Sequence, residues 1–507
     1  MHDPSAQPPG VPDEDHPGGH LPEFGRSVEG PPSPAAPLRA GFPTLTPMTN
    51  QRHVPSRWVR LDAIEEALRS SGQPGQSKAG PAEGSTPMSA AGAPASGASS
   101  AAGAPASRAP ASGANAASNA PAPILPPATI GILGGGQLGR MLGLAARELG
   151  YGVVVLDPDA HCPAAAIADR VEVGAYDDVV AATRLARSAD VVTYELEHVA
   201  LAVVDAVAKA GRPVRPGRLA LKVTQDRLEE RAFLEGIGVP VAPHRIVTDQ
   251  ASLATAAYQL DLPLRLKART GGYDGRSQVR IGAVGELGNA IDLLGRPAGE
   301  RLLLEKELPF ECELSVVVAR AGDGTVAPFP VGRNLHDRGI LAESVAPAPI
   351  RDGVATRAQD LAIRIAEALG VVGVMTIELF LLPDGSLVVN ELAPRVHNSG
   401  HWTIEAAVTS QFEQHIRAIC GLPLGSAELR GAAATVNLLG TGRRRAARLA
   451  GIPAALATPD VHLHVYDKRE VFDRRKMGHV TALGQTVDEA LSRARTGRAA
   501  LTWTGDD

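Results

Sequence analysis

Two glutamates, Glu378 and Glu391, flank a predicted β-turn in the stretch TIELFLLPDGSLVVNELAPR. The PDGS sequence is typical of a hairpin turn, and counting outward from Asp384 and Gly385 places the glutamates directly opposite each other if the hairpin has no bulge. Like charges facing each other across two strands repel, and a divalent cation relieves that repulsion. Such carboxylates suit Mg²⁺ that is shared with substrate phosphates. The pair therefore favours nucleoside triphosphate chemistry; the alternative is an exposed hairpin with two solvated side chains.

A glycine-rich loop between two predicted strands is a second candidate for phosphate binding. In LRLKARTGGYDGRSQVRI, Lys267 lies in the first strand and the loop glycines follow it. Glycines allow backbone N–H groups to approach a phosphate, and a nearby lysine neutralises the phosphate charge. No Gly-Lys-Ser/Thr sequence follows, so the segment is not a P-loop. Together with the acidic hairpin, this loop indicates a triphosphate site.

A third motif, TIGILGGGQLGRMLGLAARELGYGVVVLDPD, matches the G-x-G-x-x-G pattern of dinucleotide-binding proteins. Gly134, Gly136 and Gly139 supply the glycines, and Asp157 ends the next apolar run. A Rossmann-type NAD-binding protein is therefore an alternative hypothesis. The motif fixes only a local backbone shape, however, and the acidic hairpin argues for ATP instead of a nicotinamide.

Composition narrows the class of protein. The chain has 507 residues, a net charge of −5 and three widely spaced cysteines. No basic surface is indicated, so we expect no nucleic-acid partner. The cysteines form neither a C-x-x-C pair nor a disulfide framework, and no apolar run approaches the ~18 residues of a membrane span. We expect a soluble cytoplasmic protein without a membrane partner.

Four regions follow from the change of composition along the chain. Residues 1–126 are rich in Ala, Gly, Pro and Ser and are predicted to be a disordered tail, because they cannot bury enough apolar surface. Alternating strands and helices from residue 127 predict an α/β fold with a parallel sheet. We place one domain at 127–225, a second α/β domain at 226–425 and a small β-rich domain at 426–507.

Four segments together resemble one known family, 5-(carboxyamino)imidazole ribonucleotide synthase. They are GGGQLGRM, RTGGYDGR, NLHDRGIL and NELAPRVHNSGHWT, and the resemblance runs from about residue 128 to the C-terminus. It implies an ATP-grasp fold with an N-terminal Rossmann-like preATP-grasp domain that binds no dinucleotide, a β-rich C-terminal domain and a homodimer. The implied reaction uses ATP, Mg²⁺ and bicarbonate to form carboxyphosphate. The intermediate then carboxylates the amine of 5-aminoimidazole ribonucleotide in purine biosynthesis, and ADP and phosphate are released.

The resemblance also assigns residues to the nucleotide and its metal ion. Lys222 and Lys267 are expected at the phosphates, Glu313 at the ribose, and Glu378 and Glu391 at Mg²⁺. Residues 272–278 are expected to form a loop that folds over the phosphates, and residues 305–308 to line the adenine pocket largely through backbone groups. The full ATP set is Lys222, Lys267, Gly272, Tyr273, Asp274, Gly275, Arg276, Ser277, Gln278, Glu305, Lys306, Glu307, Leu308, Glu313, His336, Asn390 and Glu391.

The remaining assignments concern the intermediate and the acceptor. Arg395 is expected to clamp carboxyphosphate, because a guanidinium can bind carboxylate and phosphate oxygens in a fork, and His397 and Asn398 are expected to orient it. The resemblance places Tyr273 and Asp274 near the imidazole. It places a basic group at the ribotide 5′-phosphate, for which a solvated charged turn is the alternative; this group comprises Lys468, Arg475 and Lys476.

Two positions depart from the family pattern. Ser277 stands where the loop usually has glycine, and His198 replaces a more usual asparagine. Other ATP-grasp ligases, such as a formate-dependent ribotide transformylase or a biotin carboxylase-like enzyme, are the nearest alternatives. The stretches RVHNSGHWT and YDKREVFDRRKMGH favour the carboxyamino enzyme over them.

Overall fold

The computed structural model describes residues 122–272, 277–297 and 299–505. The predicted disordered tail falls outside these ranges except for residues 122–126. Those residues already contact the folded body, because the N–H of Ile124 donates to the Cys420 carbonyl (2.8 Å) and its carbonyl accepts from the Tyr151 hydroxyl (2.7 Å). Within the described ranges, no helix is long and apolar enough to cross a membrane.

The first folded region is a parallel sheet, as the strand–helix alternation predicted. Its strands are β1 (Thr129–Leu133), β2 (Gly152–Asp157), β3 (Arg170–Val173) and β4 (Val191–Tyr194), in the order β3-β2-β1-β4. Its helices are α1 (Gln137–Glu148), α2 (Val179–Arg187), α3 (Leu201–Lys209) and α4 (Arg218–Gln225), with a 3₁₀ turn at Pro163–Ala166. Alternate residues of β2 enter two different cores, so both faces of the sheet are covered.

The glycine-rich turn between β1 and α1 is closed by carboxylates of the protein itself. The N–H groups of Gly136 and Gly139 each donate to Glu195 at 2.6 Å, and the N–H of Gly135 donates to Asp157 at 2.8 Å. Glu195 thereby occupies the position at the start of α1 where the phosphates of a dinucleotide would bind. These donors are therefore not available to the phosphates of a dinucleotide.

A four-stranded antiparallel sheet follows and carries the glycine-rich loop. Its strands are β5 (His244–Val247), β6 (Leu264–Lys267), β7 (Gln278–Ile281) and β8 (Leu302–Lys306), in the order β5-β8-β6-β7. Its helices are α5 (Arg227–Gly236), α6 (Gln250–Leu260) and α7 (Ala290–Leu294), with a 3₁₀ turn at Val284–Asn289. β6 and β7 pair with Lys267 opposite Gln278, which confirms the predicted strand–loop–strand arrangement.

The next six strands belong to one large sheet. They are β9 (Cys312–Arg320), β10 (Val326–Pro328), β11 (Gly332–Asp337), β12 (Ile340–Ala346), β13 (Gly373–Leu381) and β14 (Leu387–Ala393). The helices of this segment are α8 (Asp352–Ala368), α9 (Thr403–Ala406) and α10 (Gln411–Cys420), with a 3₁₀ turn at Asn398–Gly400. α8 packs on β9, and α10 packs on β13.

The C-terminal region is rich in strands, as predicted. It contains β15 (Ala432–Leu439), β16 (Arg445–Ala446), β17 (Arg448–Ala450), α11 (Ile452–Leu456), β18 (Val461–Val465), β19 (Glu470–Val471), β20 (Lys476–Gly484), α12 (Val487–Ala499) and β21 (Thr502–Thr504). Three of these strands extend the large sheet, whose order is β14-β13-β9-β11-β12-β15-β20-β18 with β10 beside β9. The C-terminal strands are therefore continuous with the sheet that carries the acidic hairpin.

The acidic hairpin pairs Glu378 with Glu391 directly, as predicted. The register between the turn and this pair differs from the prediction. Leu381 pairs with Leu387 across a five-residue loop, and a β-bulge at Asn390 then adds one residue to β14. These two irregularities compensate, so the predicted pairing is confirmed and the assumption of a bulge-free hairpin is wrong. The bulge also brings Asn390 Nδ2 to 3.4 Å from Glu378 Oε2.

A buried histidine of α10, His415, joins the first sheet to the large sheet. Its Nδ1 accepts the backbone N–H of Val374 in β13 (3.0 Å), and its Nε2 lies 2.7 Å from Thr193 Oγ1 in β4. Because an amide N–H can only donate, Nδ1 carries no proton and Nε2 is the protonated nitrogen. Burial lowers the pKa of His415 to about 3.

We expect His415→Gln to flatten the pH dependence of stability in weak acid. The folded-state pKa lies below the ordinary value of 6.5, so between pH 6.5 and about 3 the imidazole is protonated in the unfolded chain but not in the folded chain. Stability therefore falls as the pH drops through this range. One such group contributes about 1.4 kcal/mol per pH unit, and glutamine keeps a donor and an acceptor without titrating. Urea unfolding at about pH 6 and about pH 5 measures this slope, with the exposed His161→Gln as control. An equal slope in His415→Gln and the unsubstituted protein would contradict this account.

Candidate active site

The predicted site residues converge on one cleft with a volume of about 1520 Å³. They are supplied by strands β6 to β9, β11, β13, β14 and β20 and by the loops that follow β6, β8, β14, β18 and β19. The predicted residues that line the cleft are Lys267, Gly272, Gln278, Glu305, Lys306, Glu307, Leu308, Glu313, His336, Glu378, Asn390, Glu391, Arg395, His397, Asn398, Lys468, Arg475 and Lys476. Residues 273–276, which include Tyr273, Asp274, Gly275 and Arg276, lie outside the described residues.

Lys222 is not among the residues that line the cleft. Its ammonium lies 3.3 Å from the carboxylate of Glu229, in a surface pair whose side chains are 46% and 41% exposed. Arg227 lines the cleft instead, and its guanidinium donates to the carbonyls of Ala268 (2.8 Å) and Gly272 (3.4 Å) at the start of the glycine-rich loop. The structure therefore does not place Lys222 in the cleft wall, and the position of Arg227 makes Arg227 the better candidate for a contact with ATP phosphates.

We expect Arg227→Ala to weaken ADP binding about 10- to 100-fold, because a charge-assisted hydrogen bond contributes about 1.5–3 kcal/mol. Lys222→Ala should change the dissociation constant by less than about twofold, since an exposed ion pair contributes little. Isothermal titration calorimetry on both variants gives the two constants. A larger loss in Lys222→Ala than in Arg227→Ala would assign the phosphate contact to Lys222 and contradict this expectation.

Lys267 is held by a buried carboxylate. Its Nζ lies 2.5 Å from Glu305 Oε2, and Glu305 Oε1 accepts from Arg231 Nε at 2.6 Å. Burial opposes ionisation of Glu305, but the two cations hold its pKa well below the ordinary value. Glu305 is thus a carboxylate at neutral pH, and it fixes the Lys267 ammonium at the mouth of the glycine-rich loop.

The side chains that follow Glu305 in the chain are engaged by the protein. Lys306 Nζ donates to the carbonyls of Asp261 (2.8 Å) and Leu262 (2.9 Å), and Glu307 accepts from Arg280 Nε (2.8 Å). The N–H groups of Lys306 and Glu307 also donate to the carbonyls of Pro243 (2.8 Å) and Pro263 (3.0 Å), so the expected backbone contacts with adenine stay a prediction.

Ser277, at the end of the glycine-rich loop, has a left-handed backbone with φ +61°. This region favours glycine, and a side chain there costs about 1–2 kcal/mol. The carbonyl of Ser277 accepts from the Ala268 N–H at 2.9 Å, which closes the base of the loop. The departure from the family glycine thus falls where the backbone conformation favours glycine.

The facing glutamates are electrostatically strained without a cation. Burial and then the charge of Glu391 raise the pKa of Glu378 to about 7. Within the part of the chain that the structure describes, no group of three or more His, Cys, Asp or Glu side chains is placed to hold a metal ion. Two carboxylates beside the Asn390 amide instead fit Mg²⁺ that takes its other ligands from phosphates and water.

Glu313 and His336 form a hydrogen-bonded pair on strands of the same sheet as Glu378. His336 Nδ1 lies 2.6 Å from Glu313 Oε2, across the neighbouring strands β9 and β11. Burial lowers the pKa of His336, but the hydrogen bond to Glu313 and the charge of Glu378 outweigh it, so the pKa lies above its ordinary value. The pair therefore presents a positioned carboxylate to the cleft, as expected for binding a ribose hydroxyl.

Arg395 is paired with Glu197, which follows β4. The Arg395 Nη2 atom lies 2.8 Å from Glu197 Oε1 and 3.0 Å from Oε2, and Nη1 donates to the Val396 carbonyl at 3.0 Å. Its Nε is buried and has no hydrogen-bond partner within residues 122–272, 277–297 and 299–505. A buried N–H without a partner is costly, so this guanidinium has capacity for a further acceptor.

His397 and Asn398 stand beside Arg395. His397 Nδ1 lies 2.9 Å from Ser399 Oγ, and its Nε2 lies 3.5 Å from Glu378 Oε1. Burial and then the charge of Arg395 hold the pKa of His397 well below its ordinary value, so the imidazole is neutral. The buried Oδ1 of Asn398 also finds no partner among the described residues. Both side chains can therefore contact a small ligand at Arg395.

All three members of the predicted basic group, Lys468, Arg475 and Lys476, line the cleft. Lys468 Nζ donates to the Lys476 carbonyl at 2.7 Å, and the Arg475 guanidinium lies 5.0 Å from the centre of the Phe472 ring. All three side chains line the cleft, so the alternative of a merely solvated turn is disfavoured.

Sequence reasoning missed several residues of the cleft. No role was predicted for Glu195, Glu197, Arg227 or Arg231. Phe310, which stacks on Phe380 with ring centres 4.6 Å apart, was not noted either. The sequence YELEH at the end of a parallel strand was an available signal, because ligands bind at the carboxyl ends of such strands.

The fold and the cleft define an ATP-grasp enzyme, and comparison with protein-family models agrees. The ATP-grasp domain matches residues 232–412, and the ribonucleotide synthetase preATP-grasp domain matches residues 127–225. The phosphoribosylaminoimidazole carboxylase C-terminal domain matches residues 433–493. The expected ATP-grasp fold with a preATP-grasp domain and a C-terminal domain is thus confirmed.

The chain belongs to the N5-carboxyaminoimidazole ribonucleotide synthase family of ATP-dependent ligases in purine biosynthesis. The synthase of Brucella melitensis is 44% identical over 360 residues, which cover 71% of this chain and 97% of the relative. A crystal structure of an N5-carboxyaminoimidazole ribonucleotide synthetase with ADP is 41% identical, with a TM-score of 0.68 over 74% of this chain and 97% of the other. The Aspergillus clavatus enzyme with ADP and 5-aminoimidazole ribonucleotide is 32% identical, with a TM-score of 0.66 over 74% and 98% of the two chains.

Proposed function

We propose that this chain uses ATP and bicarbonate to carboxylate the exocyclic amine of 5-aminoimidazole ribonucleotide through carboxyphosphate. A bicarbonate oxygen attacks the γ-phosphorus and ADP leaves; the amine then attacks the carboxyl carbon, phosphate leaves, and the amine proton is released. The observation that carries the proposal is that one cleft holds Lys267, the Glu378–Glu391 pair and the incompletely bonded Arg395. The named relative with ADP and 5-aminoimidazole ribonucleotide supports it.

The nucleotide side of the cleft is assigned as follows. Glu378 and Glu391, beside Asn390, would hold Mg²⁺, which would neutralise phosphate charge during transfer. Lys267 binds phosphate oxygens, and residues 272–278 cover them. Residues 305–308 carry the adenine through their backbone, and Glu313, oriented by His336, binds the ribose.

The acceptor side follows the same reasoning. The fork of Arg395 binds the carboxyl and phosphate oxygens of the intermediate, and His397 and Asn398 orient it. The basic group binds the ribotide 5′-phosphate, and Tyr273 and Asp274 contact the imidazole. We further infer a cytoplasmic homodimer and the domain limits 127–225, 226–425 and 426–507.

The test is phosphate release by the full chain, measured with ATP and Mg²⁺ while the other reactants are varied. Rapid release should require bicarbonate and 5-aminoimidazole ribonucleotide together, and the product should contain one carboxyl group from labelled bicarbonate. Formate in place of bicarbonate should be inactive. Formyl transfer to a ribotide amine would instead favour the formate-dependent ligase.

A further inference from the structure

A buried ion pair at the start of α5, Glu230 and Arg231, has no role in the reaction as assigned. Their side chains are 3% and 2% exposed, and an Arg231 guanidinium N–H donates to Glu230 Oε1. Burying such a pair costs desolvation energy that its attraction often fails to repay. The other hydrogen bonds of Glu230 and Arg231 show the reason that the pair is buried.

The pair binds the backbone on both sides of Glu391. Arg231 Nη2 donates to the carbonyl of Asn390 (2.8 Å), and Glu230 Oε2 accepts the N–H of Leu392 (3.0 Å). β14 is the edge strand of the large sheet, and the bulge changes which of its backbone groups point away from β13 at this point. The two side chains therefore satisfy the outer edge of β14 where a neighbouring strand would otherwise pair.

The same guanidinium also fixes the opposite side of the ATP site. Arg231 Nε donates to Glu305 (2.6 Å), and the other oxygen of Glu305 holds Lys267 (2.5 Å). One side chain thus connects the lysine at the glycine-rich loop with the bulged strand that carries Glu391. Because these bonds are buried, they are rigid and little weakened by solvent.

We propose that Glu230 and Arg231 are positioning residues that hold the β14 bulge and thereby place Glu391 at the distance from Lys267 that Mg²⁺-nucleotide requires. This inference rests on the proposed function. Partners that orient a metal ligand typically affect metal affinity 10- to 100-fold. The pair should therefore control the affinity for Mg²⁺ more than the affinity for the metal-free nucleotide.

The experiment measures ADP binding calorimetrically, first in EDTA and then across an Mg²⁺ titration. In Glu230→Gln, the Mg²⁺ concentration that gives half of the maximal gain in ADP affinity should rise about 10- to 100-fold. The ADP dissociation constant in EDTA should stay within about threefold, because Arg231 keeps its bond to Glu305. The control is Glu229→Gln, at the preceding residue of the same helix. It removes an exposed ion pair and should leave both values unchanged.

A double variant, Glu230→Leu with Arg231→Met, guards against unfolding, because apolar replacement of a buried pair is often neutral for stability. A folded double variant with the Mg²⁺ requirement of the unsubstituted protein would overturn the inference. Equal weakening of ADP binding with and without Mg²⁺ would indicate a general packing defect and would also contradict the inference. If the ADP affinity of the unsubstituted protein does not depend on Mg²⁺, both the proposed metal site and this inference are wrong.

Discussion

Glu378→Gln and Glu391→Gln are each expected to abolish ATP turnover, a loss of more than about a hundredfold, while leaving the fold intact. Each change removes one of the two facing carboxylates that balance Mg²⁺. Turnover is measured as ADP formation across a wide range of Mg²⁺ concentrations. Glu367→Gln, an exposed change on α8, is the control and should turn over normally. Near-normal turnover of both site variants at ordinary Mg²⁺ would remove the metal assignment.

The same variants should show an opposite effect on stability when no metal is present. Burial and the charge of Glu391 already raise the pKa of Glu378 to about 7, so the two facing carboxylates destabilise each other. Neutralising one of them should increase the free energy of unfolding in EDTA by up to about 1 kcal/mol. Urea unfolding of the variants and the unsubstituted protein gives the difference. A loss of stability in both variants would show that the pair is stabilising without metal.

Arg395→Lys is expected to lower kcat by about a hundred- to a thousandfold, equivalent to about 2.7–4 kcal/mol, although the charge is kept. An ammonium cannot reproduce the parallel hydrogen bonds of a guanidinium to the two ends of carboxyphosphate. The dissociation constant of ADP should change much less, because the adenine and ribose segment, from Glu305 to Glu313, lies on other strands. The two quantities are measured on the same preparation.

A matched control exists for this exchange. Arg218 also binds a carboxylate through two nitrogens, at 2.7 and 3.2 Å from Asp205, but outside the cleft and with half of its side chain exposed. Arg218→Lys should therefore leave kcat unchanged. Equal losses of kcat and ADP affinity in Arg395→Lys would make Arg395 a general nucleotide residue, and unchanged turnover would exclude it from the reaction.

Much of the fold could be predicted from sequence because it depends on local patterns, whereas the family resemblance supplied most residues of the cleft. Alternating strands and helices indicated the parallel sheet, and the motif NELAPRVHNSGHWT placed Glu391, Arg395, His397 and Asn398 in one segment. The pairing of Glu378 with Glu391 was predicted correctly although the turn and the bulge were not. Both irregularities depend on backbone conformation that the residue types do not determine uniquely.

The surroundings of individual side chains could not be predicted in the same way. Lys222 and Arg227 are only five positions apart, but Asp226 ends α4 and caps α5, so the two side chains belong to different helices and point to different surroundings. The contact of Arg395 with Glu197 joins segments 198 residues apart. No local pattern encodes such a contact, and it depends on how the first sheet packs against the large sheet.

If bicarbonate is activated as carboxyphosphate in this cleft, one of its oxygen atoms must end up in the released phosphate. Measuring that oxygen transfer tests the mechanism most directly. With ATP, Mg²⁺, 5-aminoimidazole ribonucleotide and ¹⁸O-labelled bicarbonate, the oxygen that attacks the γ-phosphorus stays with phosphorus when the amine displaces phosphate. Mass spectrometry of the released phosphate should therefore find one ¹⁸O atom for each carboxylated product. Unlabelled phosphate alongside carboxylated product would show that phosphate is released by another route and would contradict the mechanism.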